Sequence, residues 1–148
     1  MGLEIERKFL IKGIFKHLAE KKIRIRQSYF STDPERIIRL RITDLKGIVT
    51  FKSNIKGESF SRNEWEFEIP LQDAEELIKI CLPGTIDKTR YYIPVGRHMF
   101  EVDVFHGRNE GLVIAEIELA SETEEFEKPE WLGEEVTGKP EYYNSNLI

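Results

Sequence analysis

The sequence has 148 residues, of which 40% are hydrophobic and 33% charged, with a formal net charge of -5. This length and balance suit one folded domain (1–148) with a real core and exclude a disordered chain. The acidic balance argues against a general nucleic-acid binder, the single cysteine (Cys81) against an intrachain disulfide, and the lack of a membrane-length apolar run against a membrane partner, so a cytoplasmic protein is expected.

Along the chain, apolar and polar residues alternate with period two, the pattern of half-buried strands. Eight strands are expected, over residues 3–11, 23–30, 36–43, 47–53, 61–69, 86–93, 98–105 and 112–120. Turn-forming residues separate them at Ser31-Thr32-Asp33-Pro34, Asp44-Leu45-Lys46-Gly47, Lys56-Gly57 and Pro94-Val95-Gly96-Arg97. Short helices are expected over 14–21 and over 73–81, the second with Asp73 as N-cap and Glu76 completing a capping box. Beyond Ser121, a short helix capped by Ser121 and Glu124 and another over 140–147 would fit the residues. The fold class is α+β, mainly β, and eight antiparallel strands suffice to close a β-barrel with a few peripheral helices.

Residues two apart on a strand share a face. By that rule one face of each strand gathers charge: Glu4, Glu6 and Lys8; Arg39 and Arg41; Thr50 and Lys52; Arg62, Glu64, Glu66 and Glu68; Lys88 and Arg90; Glu101 and Asp103; Glu116 and Glu118. For any one strand, a face turned to water explains this. As a set, paired cations and paired carboxylates suit a polyanion together with its metal ions, because Arg and Lys grip phosphate oxygens and clustered carboxylates bind hard cations. Periodicity does not distinguish an inward face from an outward one. His17, His98 and His106 match no metal-ligand spacing, and Cys81, Trp65 and Trp131 read as packing residues.

The opening Leu3-Glu4-Ile5-Glu6-Arg7-Lys8-Phe9 resembles the Glu-x-Glu-x-Lys signature of the CYTH superfamily, the triphosphate tunnel metalloenzymes. The resemblance continues in order through Arg39-Leu40-Arg41, Thr50-Phe51-Lys52, Lys88-Thr89-Arg90-Tyr91, Glu101-Val102-Asp103-Val104-Phe105 and Ala115-Glu116-Ile117-Glu118 to Tyr143-Asn144-Ser145-Asn146-Leu147. It implies an eight-stranded antiparallel barrel around a polar tunnel, in which triphosphates are cleaved with Mg²⁺ or Mn²⁺. Carried over, Lys8, Arg39, Arg41, Lys52, Lys88 and Arg90 would bind the triphosphate, with Lys8 also a candidate for activating water. Glu4, Glu6 and Glu118 would lead the metal ligands. Glu64, Asp103 and Glu116 would serve a second metal or position the attacking water. Tyr29 resembles a tunnel tyrosine that orients substrate or water, and equally suits a half-buried packing role. The C-terminal segment resembles one that plugs a tunnel mouth.

The small members it resembles act on inorganic tripolyphosphate, giving pyrophosphate and phosphate. A class IV-type adenylyl cyclase and a non-catalytic polyphosphate- or nucleotide-binding module are the alternatives. Family analogy also allows a homodimer.

Overall fold

A computed structural model describes residues 2–54 and 61–148. The expected turn at Lys56-Gly57 lies outside them. The strands are β1 (Gly2–Ile11), β2 (Lys21–Ser31), β3 (Ile37–Ile42), β4 (Gly47–Asn54), β5 (Ser61–Ile69), β6 (Ile86–Val95), β7 (His98–Phe105), β8 (Val113–Glu118) and β9 (Leu132–Glu135). The first eight match the expected segments to within a few residues. They run in the order β5-β4-β3-β2-β6-β7-β8-β1, and β1 pairs back on β5 through Gly2↔Glu64 to Ile5↔Ser61, closing an antiparallel ring of eight strands.

The short β9 was not anticipated, because Leu132-Gly133-Glu134-Glu135 does not alternate. It adds to β1 beyond the ring, opposite Phe9 and Ile11. Gly133 permits the close approach, since a Cβ there would sit 2.9 Å from the Leu10 carbonyl oxygen.

The helical content is smaller than expected. Over 14–21 there is only a 3₁₀ turn, Lys16–Leu18, because the Glu20 N–H already bonds the Tyr92 carbonyl and β2 starts at Lys21. Phe15 is buried against Tyr91 and Trp131 and anchors this segment. The helix expected over 73–81 is α1 (Leu71–Leu77), continued by a 3₁₀ turn at Ile78–Ile80. Its N-cap is Pro70 rather than Asp73, with no side-chain cap. Proline's locked φ starts the helix, and Asp73 lies in the first turn, where its charge suits the helix dipole. No helix forms after Ser121: the Glu124 Oε1 accepts from the Ala120 N–H at 2.6 Å and closes a turn instead. The 140–147 segment is two 3₁₀ turns, Pro140–Tyr142 and Asn144–Asn146. Among the described residues no helix is long and apolar enough to cross a membrane.

The ring is apolar on its outside where other segments cover it. Ile5, Phe9, Ile93, Phe100, Val102 and Ile117 pack with Phe15, Trp131 and Leu132. Leu40 and Ile42 pack under Ala74 of α1. Gly47 sits in that contact, where an added Cβ would lie 2.4 Å from the Ala74 Cβ. Gly47→Ala is expected to push α1 off the ring and cost about 1–3 kcal/mol, read as a lower melting temperature. Unchanged melting would refute the tight packing.

With the apolar faces turned outward, the charged faces are left inside.

Candidate active site

The ring encloses a cavity of about 270 Å³. Strand parity sends into it Glu4, Glu6 and Lys8 from β1, Arg39 and Arg41 from β3, Lys52 from β4, Arg62, Glu64 and Glu66 from β5, Arg90 and Tyr92 from β6, Glu101 from β7, and Glu116 and Glu118 from β8. The C-terminal turns supply Tyr143, Asn144 and Ser145 at one end. Lys8 Nζ reaches the Tyr142 carbonyl at 3.4 Å there, and the segment bordering the cavity is two 3₁₀ turns rather than a helix.

Inside the ring most carboxylates gather around β1 and β8 and most arginines around β3 and β6, with Lys8 and Lys52 set among the carboxylates. On the carboxylate side, Glu4, Glu64 and Glu118 bring one oxygen each to within 4.8 Å of one another. The β1–β8 register sets Glu6 opposite Glu118 and Lys8 opposite Glu116. Burial works against an ionised Glu4, but the Lys52 charge and a hydrogen bond from Glu64 outweigh it and hold its pKa below the ordinary value. Glu64 is correspondingly pushed up to about 8, by burial first and then by its bond to and repulsion from Glu4. Glu6 and Glu116 form a second such pair. Burial and Glu4 work against the Glu6 charge, yet Lys52, Lys8 and a bond from Glu116 hold its pKa low, while burial and Glu6 raise that of Glu116. In each pair the two carboxylates divide, one favouring the charge and the other the proton, as like charges in one site do. Glu118, exposed at the open mouth, is raised to about 7, by desolvation first and then by Glu4, Glu6 and Glu101.

The cation side is held by hydrogen bonds. Arg39 donates to Thr50 Oγ1 at 3.2 Å, and Arg41 donates to Gln27 Oε1 through Nε and Nη2 at 3.1 and 3.0 Å. Burial, then Arg39 and Arg90, push the Arg41 pKa down to about 9. Arg90 grips Asp103 through two bonds of 2.7 and 2.9 Å, and Lys88 Nζ sits 2.7 Å from the same carboxylate.

Among the described residues Arg39 Nε is buried without a hydrogen-bond partner, and Glu4 Oε1, also buried, has only the Lys52 ammonium, 3.0 Å away. One is an acceptor on the carboxylate side and the other a donor on the cation side. An anion beside Arg39 would answer its free donor, and a cation among Glu4, Glu64 and Glu118 would share those carboxylates with Lys52. The carboxylate side offers only oxygens, so the cation it fits is a hard one.

Most of the expected site residues therefore meet in one cavity. Lys88 and Asp103 do not line it. Lys88 is 0% exposed and its ammonium is taken by Asp103 and by Asn144 Oδ1 at 3.0 Å, while Asp103 is fully engaged by Arg90 and Lys88. Tyr29 lines the cavity and is buried in packing, with its hydroxyl 3.3 Å from Gln27 Nε2. Tyr92 and Glu101 were passed over as site residues, although parity with Arg90 and Asp103 marked both.

A closed antiparallel ring that encloses clustered carboxylates and clustered cations defines a charged tunnel, with the donors to hold a polyanion and the oxygens to hold a hard cation. The CYTH domain profile matches residues 2–146, and the chain belongs to the CYTH domain family. It is 46% identical over 150 residues to an inorganic triphosphatase of Acetivibrio thermocellus, covering 100% of this chain and 94% of that protein. It is 36% identical over 149 residues to an inorganic triphosphatase of Nitrosomonas europaea, covering 97% and 95%. The solved structure of the inorganic triphosphatase NE1496 superposes with a TM-score of 0.69 at 33% identity, covering 97% of this chain and 95% of that one.

Proposed function

We propose that this chain is a triphosphatase that hydrolyses inorganic tripolyphosphate to pyrophosphate and phosphate with Mg²⁺ or Mn²⁺. The observation that carries this is one cavity that gathers three carboxylate oxygens within 4.8 Å of one another, on Glu4, Glu64 and Glu118, together with Arg39, whose buried Nε has no hydrogen-bond partner. The two relatives named inorganic triphosphatase support the same reading.

In this reading Arg39, Arg41, Arg90, Lys52 and Lys8 bind the phosphate oxygens, and the arginines can do so with two donors each. Glu4, Glu64 and Glu118 hold the divalent cation, with Glu6 beside them. When bound, that cation offsets the charge that develops on the transferred phosphoryl group. Glu64 and Glu116 position the attacking water, each next to an ionised partner that can take up its proton. Tyr29 orients the chain of phosphates. Lys88 and Asp103 act from behind the wall by holding Arg90.

Tripolyphosphate, ATP and thiamine triphosphate, each with Mg²⁺ or Mn²⁺, test this through the phosphate, pyrophosphate and cyclic AMP released. Tripolyphosphate is expected to be the best substrate. Binding without turnover would move the chain to the non-catalytic module, and cyclic AMP as main product to the cyclases.

The same samples should show a metal-linked pH effect. Glu64 and Glu118 carry protons that a divalent cation must displace, with pKa values of about 8 and about 7 against 4.5 ordinarily. Metal affinity is therefore expected to rise from about pH 6 to about pH 8.5. Without metal the sign is opposite: between the ordinary pKa and the raised one the folded state binds more protons than the unfolded state, so stability falls as pH rises. Melting curves with and without Mg²⁺ should diverge with increasing pH. Parallel curves would remove these carboxylates from the metal site.

A further inference from the structure

Two arginines of the cationic wall, Arg41 on β3 and Arg90 on β6, flank β2 and are joined by one chain of hydrogen bonds and ion pairs. Arg41 donates twice to Gln27 Oε1. Gln27 Nε2 lies 3.3 Å from Asn144 Oδ1, and Lys88 Nζ donates to that same oxygen at 3.0 Å. Lys88 then meets Asp103, which holds Arg90. Gln27 is 0% exposed and comes from β2, whose register sets it directly opposite Arg41.

The chemistry of the chain fixes the direction of both amides. A guanidinium and an ammonium only donate, so the Gln27 oxygen must face Arg41 and the Asn144 oxygen must face Lys88. That leaves the Gln27 amide nitrogen to donate to Asn144 and Tyr29. Neither amide can flip without facing donor to donor.

We propose that Gln27, with Asn144 behind it, is a positioning residue for Arg41: a neutral acceptor that fixes the guanidinium toward the cavity without spending its charge on a protein carboxylate. This rests on the reading of the tunnel as a triphosphate site. The contrast within the molecule supports it. Arg90 is held by a carboxylate and is partly neutralised, whereas Arg41 is held by an amide and keeps its full charge for the ligand. Burial and the neighbouring Arg39 and Arg90 already work against that charge, so an incoming polyanion gains most at Arg41. Asn144 ties the amide to the C-terminal turns, so those turns are part of the same support.

The test uses Gln27→Ala, Gln27→Glu and Asn144→Ala in the full chain, with tripolyphosphate hydrolysis and tripolyphosphate-induced thermal stabilisation as readouts. Gln27→Ala should raise KM by about 10-fold to 100-fold with a smaller change in kcat, as misplacement of one binding group does. Gln27→Glu is the decisive variant. Its carboxylate would pair with Arg41, which offsets the repulsion between its second oxygen and Asn144 Oδ1, so the ligand-free protein should melt near the wild-type temperature while KM rises further than in Gln27→Ala. Asn144→Ala, on a terminal turn, should give a smaller rise in KM and stands in if Gln27→Ala fails to fold. A purely structural Gln27 predicts the reverse order, with Gln27→Glu closer to wild type in KM than Gln27→Ala, and that result would overturn the proposal. If the wild-type protein turns over no tripolyphosphate, the functional reading fails by itself. The ligand-induced stabilisation then decides the positioning role, with loss in Gln27→Glu supporting it and wild-type stabilisation refuting it.

Discussion

Glu4→Gln is expected to lower metal-dependent turnover by at least about 100-fold while leaving the metal-free protein as stable as the wild type or more so. The loss follows from position. Glu4 supplies one of three carboxylate oxygens lying within 4.8 Å of one another, and it is buried at 6% exposure. Groups that merely support a metal ligand typically cost 10-fold to 100-fold when removed, so loss of a ligand should cost no less. The stability follows from charge. Glu4 repels Glu64, Glu6 and Glu118, and raises the pKa of Glu64 both by its charge and by their shared proton. An amide of the same shape removes that repulsion. It also removes the ion pair with Lys52, whose Nζ is 3.0 Å from Glu4 Oε1, but Lys52 keeps Glu64 at 3.7 Å. Released from Glu4, Glu64 should titrate lower and take over the pairing. Parallel measurement of turnover and of melting with and without Mg²⁺ separates the effects. Wild-type turnover in Glu4→Gln would take the metal away from this wall, and loss of folding would make Glu4 a structural residue.

How far this could be read from the residues depends on which physical rule each feature obeys. The charged faces of β1, β3, β5 and β8 were legible because period two is strict. Once Glu4 faces inward, so must Glu6 and Lys8. Which side is inward was not legible from parity alone. It is set by what covers the other face: Phe15, Trp131 and the α1 helix bury the outer apolar residues, and those contacts link positions far apart in sequence. β9 escaped because its geometry rests on Gly133 meeting the Leu10 backbone, not on a pattern. The α1 cap was misplaced because Asp73 suits an N-cap by type, whereas Pro70 starts the turn by its fixed φ. Gln27 and Asn144 escaped because neutral amides carry no charge pattern. Their roles appear only when Arg41 and Lys88 are seen on either side of them.

Lys88 and Asp103 show the same limit. As residue types on inward faces they suit phosphate and metal, but the β6–β7 register sets Asp103 directly opposite Arg90, and Lys88, two residues along the same face, reaches it at 2.7 Å.

That placement makes Asp103→Asn the most damaging single-atom exchange expected in the ring. Asp103 is 1% exposed and answers two buried cations, Arg90 and Lys88. Its carboxyl is held well below the ordinary range: burial opposes ionisation, and Arg90 and Lys88 together overcome it. Removing one partner of a buried pair leaves an uncompensated charge and costs about 3–5 kcal/mol. For a chain of this size that corresponds to a fall in melting temperature on the order of 10 °C. The deficit should shrink with increasing pH. Burial pushes the Lys88 pKa below its ordinary value, and without Asp103 it falls further. Between that lowered pKa and the ordinary one the folded state binds fewer protons than the unfolded state, so stability rises as pH rises. Tripolyphosphate should also stabilise Asp103→Asn more than it stabilises the wild type, since the bound anion supplies the missing negative charge to Arg90. A metal-ligand role for Asp103 predicts a different set of results: near-wild-type melting, loss of Mg²⁺-induced stabilisation and no added response to the anion. Thermal melts of the two proteins across pH, with metal alone and with tripolyphosphate alone, tell these outcomes apart.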